Sequence, residues 1–551
     1  MKQRLPARPD LGHLKKQAKQ LLAAYQTQDP GAITRLREAL PAAAGSDDAA
    51  IAAMGLRLHD AQSCVAREYG FASWADLQGF VAVRRAQADD PQQAIRHWLQ
   101  CVYAGDIAGD MNRSRPALAR RLLEDQPTLA RQVAADPWLA CAVGDLDVLR
   151  AATAQDPTWV HRPGGPLTLP PLVAVAHSSL LRLPAWRERL HACARFLLDA
   201  GADVQQSTGS RWPPASPAAP VGDSPLSALY GAAGQNHDPV LTRMLLDAGA
   251  NPNDGESLYH ALEDTTCTRM LLQAGARVTG SNALYRVLDL DALEALQLLL
   301  AHGGNANEPG HGPWTSPLLW AIRRRRSPAH IAALLDAGAQ AAVQTQDGIS
   351  AHTLALRYGL PEVAQLIEQA GGGSALPTDE QFIAACARAD AAAARQLLAQ
   401  HPGLLRQLDP TQLRLLPELA AQGCGDAVQL MVQLGWPIAT QGGDWQASAL
   451  NHAVFRGDAA LTRFLLAHGA QWTEQHGFGD NACGTLSWAS CNAPEPDGDW
   501  LGCAQALVAH GMPRATPDPA SADTVLIEGQ RKRFSDEVSA YLLDSPPSGR
   551  H

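Results

Sequence analysis

Hydrophobic residues along this chain recur in pairs of short clusters. Between 449 and 469, Leu450, Ala453 and Val454 fall on one face of a short helix, and Gly457-Asp458 interrupts it. Leu461, Phe464 and Leu465 follow at i, i+3 and i+4, the spacing of a helix that buries one stripe. Gly469 stands just past the last turn, where a left-handed residue ends a helix and only glycine adopts that conformation without steric cost. The closing phrase Leu-Leu-x-x-Gly-Ala returns at 197–202, 245–250, 271–276, 334–339 and 465–470, with weaker copies at 299–303, 431–435 and 507–511. A variant ending in proline holds the same slot at 122–127, 155–157 and 397–402. The unit is about 33 residues, shortened or lengthened by loops. Two helices of this size cannot bury their apolar faces alone, so each pair must stack on its neighbours.

A second element precedes these phrases: Ser316-Pro317-Leu318-Leu319-Trp320-Ala321, Ser448-Ala449-Leu450-Asn451-His452-Ala453 and Ser257-Leu258-Tyr259-His260-Ala261, with weaker relatives at Ser224-Pro225-Leu226 and Pro171-Leu172. Together the two elements resemble the ankyrin repeat, whose first helix usually opens Thr-Pro-Leu-His-x-Ala. The match is strongest over 165–372 and 445–511 and degenerate over 114–160. The resemblance implies an all-α fold, a right-handed ankyrin-repeat solenoid of stacked helix pairs, roughly a dozen units long, with strands confined to short finger hairpins. His260, His352 and His452 fall at or near the first-helix slot where the family carries a structural histidine bonding between loops.

Residues 1–83 lie outside the period. They predict an amphipathic basic helix over 13–22, a second over 60–69 and a third from Ala75 to Val81. Leu5-Pro6-x-Arg8-Pro9 with Arg67-Glu68-Tyr69-Gly70-Phe71-x-Ser73-Trp74 is similar to a small helical module found ahead of bacterial ankyrin arrays. It reads as a cap over the first repeat's apolar edge or as a separate binding module. A connecting helix or linker follows at 84–113. Array 1 spans 114–370, a Gly-rich hinge 371–378, array 2 379–514, and a Pro- and Asp-rich tail 515–551 ends in a capping helix at 534–543. The Pro-, Ser- and Ala-rich stretch 207–220 reads as a disordered insertion within a repeat.

Charge and chemistry narrow the function. A net charge of -10 repels a phosphate backbone, so nucleic acid is not an expected partner. The run Arg323 to Arg326 reads as a solvated helix face in preference to a phosphate clamp. No stretch near twenty apolar residues and no apolar leader at 1–10 appear, so a soluble cytoplasmic protein off the membrane is expected. Ten scattered cysteines without a CxxC pair read as reduced, packed thiols. Lysine occurs only at 2, 15, 16, 19 and 532 while arginine and alanine abound, a bacterial, GC-rich bias. No P-loop, Rossmann glycine fingerprint, HExxH or nucleophile elbow is present. Cys483, Cys491, Cys503 and His510 match no usual zinc spacing. No catalytic residue, metal or cofactor is expected. The reading is a monomeric, non-enzymatic scaffold that binds another protein through the concave ankyrin surface. The alternative is an enzyme or secreted effector with an unrecognised catalytic unit in 1–83 or 473–503.

Trp436, Trp445, Trp472, Trp488 and Trp500 crowd into array 2, although the chain has only 13 tryptophans. By the resemblance, Trp436, Trp445 and Trp472 sit near the fingers, which with the first helices line the groove that grips partners. Asn451, Asp480, Asn481, Asn492 and Asp499 add amide and acidic groups beside them. These ten residues are the candidate partner site. The rings could equally pack beneath enlarged fingers.

Overall fold

The computed structural model describes residues 5–6, 9–109, 113–211, 221–310, 314–521 and 524–543. The chain divides into two compact units, Met1–Asn305 and Ala306–His551, each taken by itself below.

The first unit opens with helices Leu11–Gln26, Pro30–Ala39, Asp48–Ala53, Leu58–Glu68 and Trp74–Asp89. Asp10, Asp29, Asp47 and Ser73 cap four of them by accepting backbone amide hydrogens of the first turn. The first is longer than the expected 13–22, because its buried stripe Leu14, Ala18, Leu21 and Tyr25 runs one turn further. Arg121, on helix Pro116–Asp125, lies 3.6 Å over the Phe71 ring and donates to the Tyr69 and Gly70 carbonyls at 2.9 and 2.7 Å. The N-terminal helices thus pack on the first helix pair. Helix pairs then follow, among them Pro137–Val143 with Leu146–Gln155, Pro171–Ala176 with Pro184–Asp199, Ser257–Ala261 with Thr265–Gln273, and Ala283–Asp289 with Leu293–Ala301. The flanks of the stretch read as disordered form a hairpin, Ser207–Ser210 on Val221–Ser227, while 212–220 lies outside the described residues.

In the second unit the pairs are Pro317–Arg323 with Pro328–Asp336, Ala351–Arg357 with Pro361–Ile367, Thr378–Ala387 with Ala391–Gln400, Leu415–Ala421 with Gly425–Gln433, Ala449–Arg456 with Ala459–Ala467, and Ala482–Asn492 with Trp500–Ala509. Local chemistry repeats from pair to pair in both units. Serines cap first helices (Ser316, Ser350, Ser448) and aspartates cap second helices (Asp145, Asp238, Asp264, Asp390, Asp458, Asp499). Where a glycine follows a second helix it is left-handed, with φ of +91° at Gly249, +88° at Gly338 and +100° at Gly469. A Cβ at these three positions would meet nothing within 4 Å, so backbone conformation and not space selects glycine. Adjacent repeats are stitched by a side-chain amide just past that glycine. Gln205 donates to the Gly249 carbonyl at 2.8 Å and accepts from the Asn251 amide at 3.2 Å. Asn253 does the same with Gly275 and Arg277, and Asn307 with Gly338 and Gln340.

Gly371, the start of the expected hinge, has φ +85° and stands, like the other left-handed glycines, just past the end of a second helix, Pro361–Ile367 with its last turn. Helices Ala351–Arg357 and Thr378–Ala387, on either side of 371–374, pack together. Between them Arg357 holds Glu380 in a buried two-point ion pair, with Nε to Oε2 at 2.8 Å.

Two features depart from the sequence reading. The Arg323–Arg326 run is not a solvated helix face. The helix stops at Arg323, which is buried over the rings of Trp314 and Trp320 and donates to Asp444 at 2.8 Å. Arg325, at φ +53°, and Arg326 form the turn to the next helix and bond backbone carbonyls. The tail holds, besides helix Asp536–Leu543, a three-stranded antiparallel sheet of Thr516–Pro517, Val525–Ile527 and Gln530–Lys532 that is no finger hairpin. Its last two strands join through Glu528-Gly529, at φ +50° and +78°, the geometry of a tight primed turn. Helix Asp536–Leu543 packs on the last second helix and buries Val538 and Leu542. Among the described residues no helix is long and apolar enough to cross a membrane.

Candidate partner-binding face

The finger hairpin of Gln441–Gly442 and Ala447–Ser448 carries a four-residue turn over helix Ala449–Arg456. His452 rises from that helix beneath the hairpin and bonds the Gly442 carbonyl at 3.2 Å. A Cβ on Gly443 would lie 2.7 Å from the His452 Nε2, so glycine there lets the ring in. Burial holds the imidazole neutral, with its pKa pushed down to about 4.

From this point a chain of rings runs outward. Trp445, in the turn, meets His452 edge-on at 4.8 Å, His476 at 5.0 Å and Phe455 at 5.7 Å. Phe455 stacks flat on Trp488, 5.4 Å and 9° between planes, and His476 leads to Phe478 at 6.0 Å. The two ends of the chain are open. Phe478 is 82% exposed and Trp488 49%. Phe455 and Trp488 occupy the same first-helix position one repeat of about 33 residues apart, and Trp445 and Phe478 share a finger position at the same spacing. Stacking of successive repeats therefore brings each pair to one face. That periodic pairing of aromatics was legible in the sequence, and reading tryptophans alone missed Phe455, His476 and Phe478.

The structure separates the ten candidate residues. Trp445 and Trp488 belong to the ring chain. Trp436 is buried, its ring 6.3 Å from Phe382. Trp472 is half-buried and accepts at its carbonyl from the Ala482 amide. Trp500 donates from its indole to the Phe455 carbonyl at 3.3 Å. Asn451 is fully buried, donating to the Glu474 carbonyl at 3.0 Å and accepting from Thr485 at 2.8 Å. Asn481 and Asp499 cap the helices that follow them. Burial works to raise the Asp480 carboxyl, but Lys532 at 2.6 Å and the Asn481 amide hold it below the usual range. Asn492 is exposed and donates to the Trp488 carbonyl at 2.8 Å. Asn492 therefore stands beside the open ring, whereas Asn451, Asn481 and Asp499 are engaged in holding the repeats.

A unit of two short helices, a left-handed glycine and an amide stitch to the next unit recurs along both halves of the chain. The chain carries an ankyrin-repeat array. Solved structures similar to it are ankyrin domains. One from Acinetobacter baumannii is 23% identical, covering 36% of this chain and 97% of that one, with a TM-score of 0.29. The domain of human ASB11 is 22% identical over 42% of this chain and 99% of that one, at 0.21. The domain of Bcl-3, titled a unique member of the IkappaB family, is 19% identical over 48% of this chain and 99% of that one, at 0.21. These likenesses are partial, and the assignment rests on the repeat geometry of the chain itself. No protein-family model and no curated protein matches the chain.

The other two histidines flagged in the sequence meet side chains and not a finger carbonyl. His352 lies 3.3 Å from the Ser374 hydroxyl, and His260 pairs with Glu256 at 3.2 Å against the Tyr230 ring. The cysteines considered for zinc face other partners. Cys503 is buried 3.5 Å from the Thr462 hydroxyl with its thiol pushed up to about 12 by burial, Cys491 lies against the Arg533 carbonyl, and the His510 ring bonds the Ala506 carbonyl. Among the described residues no group of three or more His, Cys, Asp or Glu side chains could hold a metal ion.

Proposed function

We propose that this ankyrin array is a non-catalytic, monomeric cytoplasmic scaffold that holds another protein, and that the ring-lined face of Ala306–His551 is where the partner docks. The observation that supports this is the run of rings ending in two exposed ones, Phe478 and Trp488. A soluble chain rarely leaves large rings in water without use, and aromatic residues dominate interface energy. Trp488 is backed by Phe455, so it is held rigid before a partner arrives and loses little freedom on binding. Asn492, one turn along the helix from Trp488, supplies an exposed amide beside this apolar anchor.

A photo-crosslinking phenylalanine analogue in place of Phe478 tests the assignment in the native cell. One predominant adduct, absent when the same analogue replaces the exposed Val240 of the first unit, is the expected result. Equal adducts from both positions would refute it.

A further inference from the structure

The second unit also contains a polar cavity of about 420 Å³ that the ring chain does not use. Its walls are Arg323 and Trp314, the first-helix residues Arg357 and Glu418 with Tyr358 between them, and the finger turn at Asp444; Arg414 stands at its mouth. The volume suits one side chain or one small organic molecule.

The hydrogen-bonding capacity of these walls is unevenly spent. Glu418 accepts from the Tyr358 hydroxyl, and Asp444 accepts from Arg323 at 2.8 Å and lies 3.5 Å from Arg324. Arg357 gives two nitrogens to Glu380, outside the cavity, and leaves Nη1 over. The Arg414 guanidinium is exposed and acts on Glu418 through space, with no hydrogen bond or close ion pair to it among the described residues. The acids on the inner wall are thus engaged while arginine donors remain open; the one further acid, Asp347, is exposed on the lip. Burial raises the Glu418 carboxyl, which weakens it as a counter-charge.

The ring faces point the same way. A cationic guest would seek Trp314 and Trp320, but Arg323 already covers Trp314 at 4.6 Å and Arg324 covers Trp320 at 4.4 Å. Such a guest would also enter among three guanidinium groups.

We propose that this cavity is a carboxylate-binding site, in which Arg414 and the free nitrogen of Arg357 clamp the anion while the hydrocarbon part of the ligand lies against Ile349, Leu354 and Leu415. The carboxylate is borne either by a small organic acid or by an Asp, Glu or C-terminal residue of a bound polypeptide. The inference does not depend on the aromatic docking face, because small probes test it without any partner.

Calorimetry on the full chain with 3-phenylpropionate and with phenethylamine, similar skeletons of opposite charge, decides the chemistry. The acid is expected to bind saturably at one site. Arg414→Gln should weaken it about tenfold, the worth of a charge-assisted contact, and Arg414→Lys should weaken it less. Because Arg414 is exposed, the melting curve of either variant should overlay that of the parent chain. N-acetyl-Gly-Glu-Gly amide, with its Gln twin as control, identifies the source: tighter binding of this peptide than of phenylpropionate assigns the site to polypeptide carboxylates, and the reverse to free acids. Binding of the amine in place of the acid, no saturable binding of any carboxylate, or an acid affinity that Arg414→Gln leaves unchanged would overturn the proposal.

Discussion

Glu380→Ala should destabilise the second unit far more than an ordinary surface charge change. Arg357 and Glu380 are 9% and 7% exposed, and the pair makes two parallel contacts, with Gln412 adding a third to Glu380 at 2.9 Å. Removing the carboxylate leaves a guanidinium buried without its counter-charge, a loss of about 3–5 kcal/mol. For a unit of this size each kcal/mol moves the midpoint by roughly 2–4 °C, so a fall of roughly 10 °C is expected. Replacing both partners, Arg357→Met with Glu380→Leu, removes the buried charge together with its cause and should recover most of the loss. Since the pair ties helix Ala351–Arg357 to helix Thr378–Ala387, Glu380→Ala should also speed proteinase K cleavage within 371–378, the stretch read from sequence as a hinge. Thermal melts by circular dichroism and timed digestion measure both effects. A single variant that loses less than about 1 kcal/mol, or a double variant as unstable as the single, would refute the buried-pair argument.

Three further outcomes follow from the geometry. Gly469→Ala should cost about 1–2 kcal/mol from the left-handed backbone alone, and Gly469→Asn less, in urea unfolding; a neutral alanine would show that the turn relaxes. His452 should make the fold acid-sensitive: its unfolded pKa of 6.5 exceeds the folded value of about 4, so the unfolded chain binds the proton first. The His452 share of stability is therefore lost as pH falls from about 6.5 to about 4, up to about 3 kcal/mol, and His452→Gln should flatten that slope in pH-dependent unfolding. Trp436→Ala should cost about 3–5 kcal/mol as a core deletion, whereas Trp488→Ala should cost about 1–2 kcal/mol for one stacked face; equal losses would contradict the division into core and surface rings.

The repeat was legible because its signals are local. A buried stripe, a capping Asp or Ser and a left-handed glycine act within one turn of helix, so each phrase specifies its own helix pair. What escaped depends on distant neighbours. Arg323 reads as one of four solvated arginines until Asp444 and Trp314 arrive to cover it, and no local pattern announces a partner so far along the chain. Trp436 and Trp488 look alike in sequence, yet Phe382 meets one in the core and Phe455 backs the other at the surface. The tail sheet escaped because its strands are two or three residues long and turn on Glu528-Gly529 in place of the usual Asn-Gly.

Phe478 and Trp488 are proposed as the anchor of a protein-docking face. The decisive comparison is calorimetric affinity for the partner recovered by crosslinking, measured on the parent chain and on a Phe478→Ser, Trp488→Ala double variant. The double variant should lose at least tenfold in affinity, about 1.4 kcal/mol or more, with the melting midpoint lowered by only a few degrees. An unchanged affinity in a variant that remains folded would contradict it.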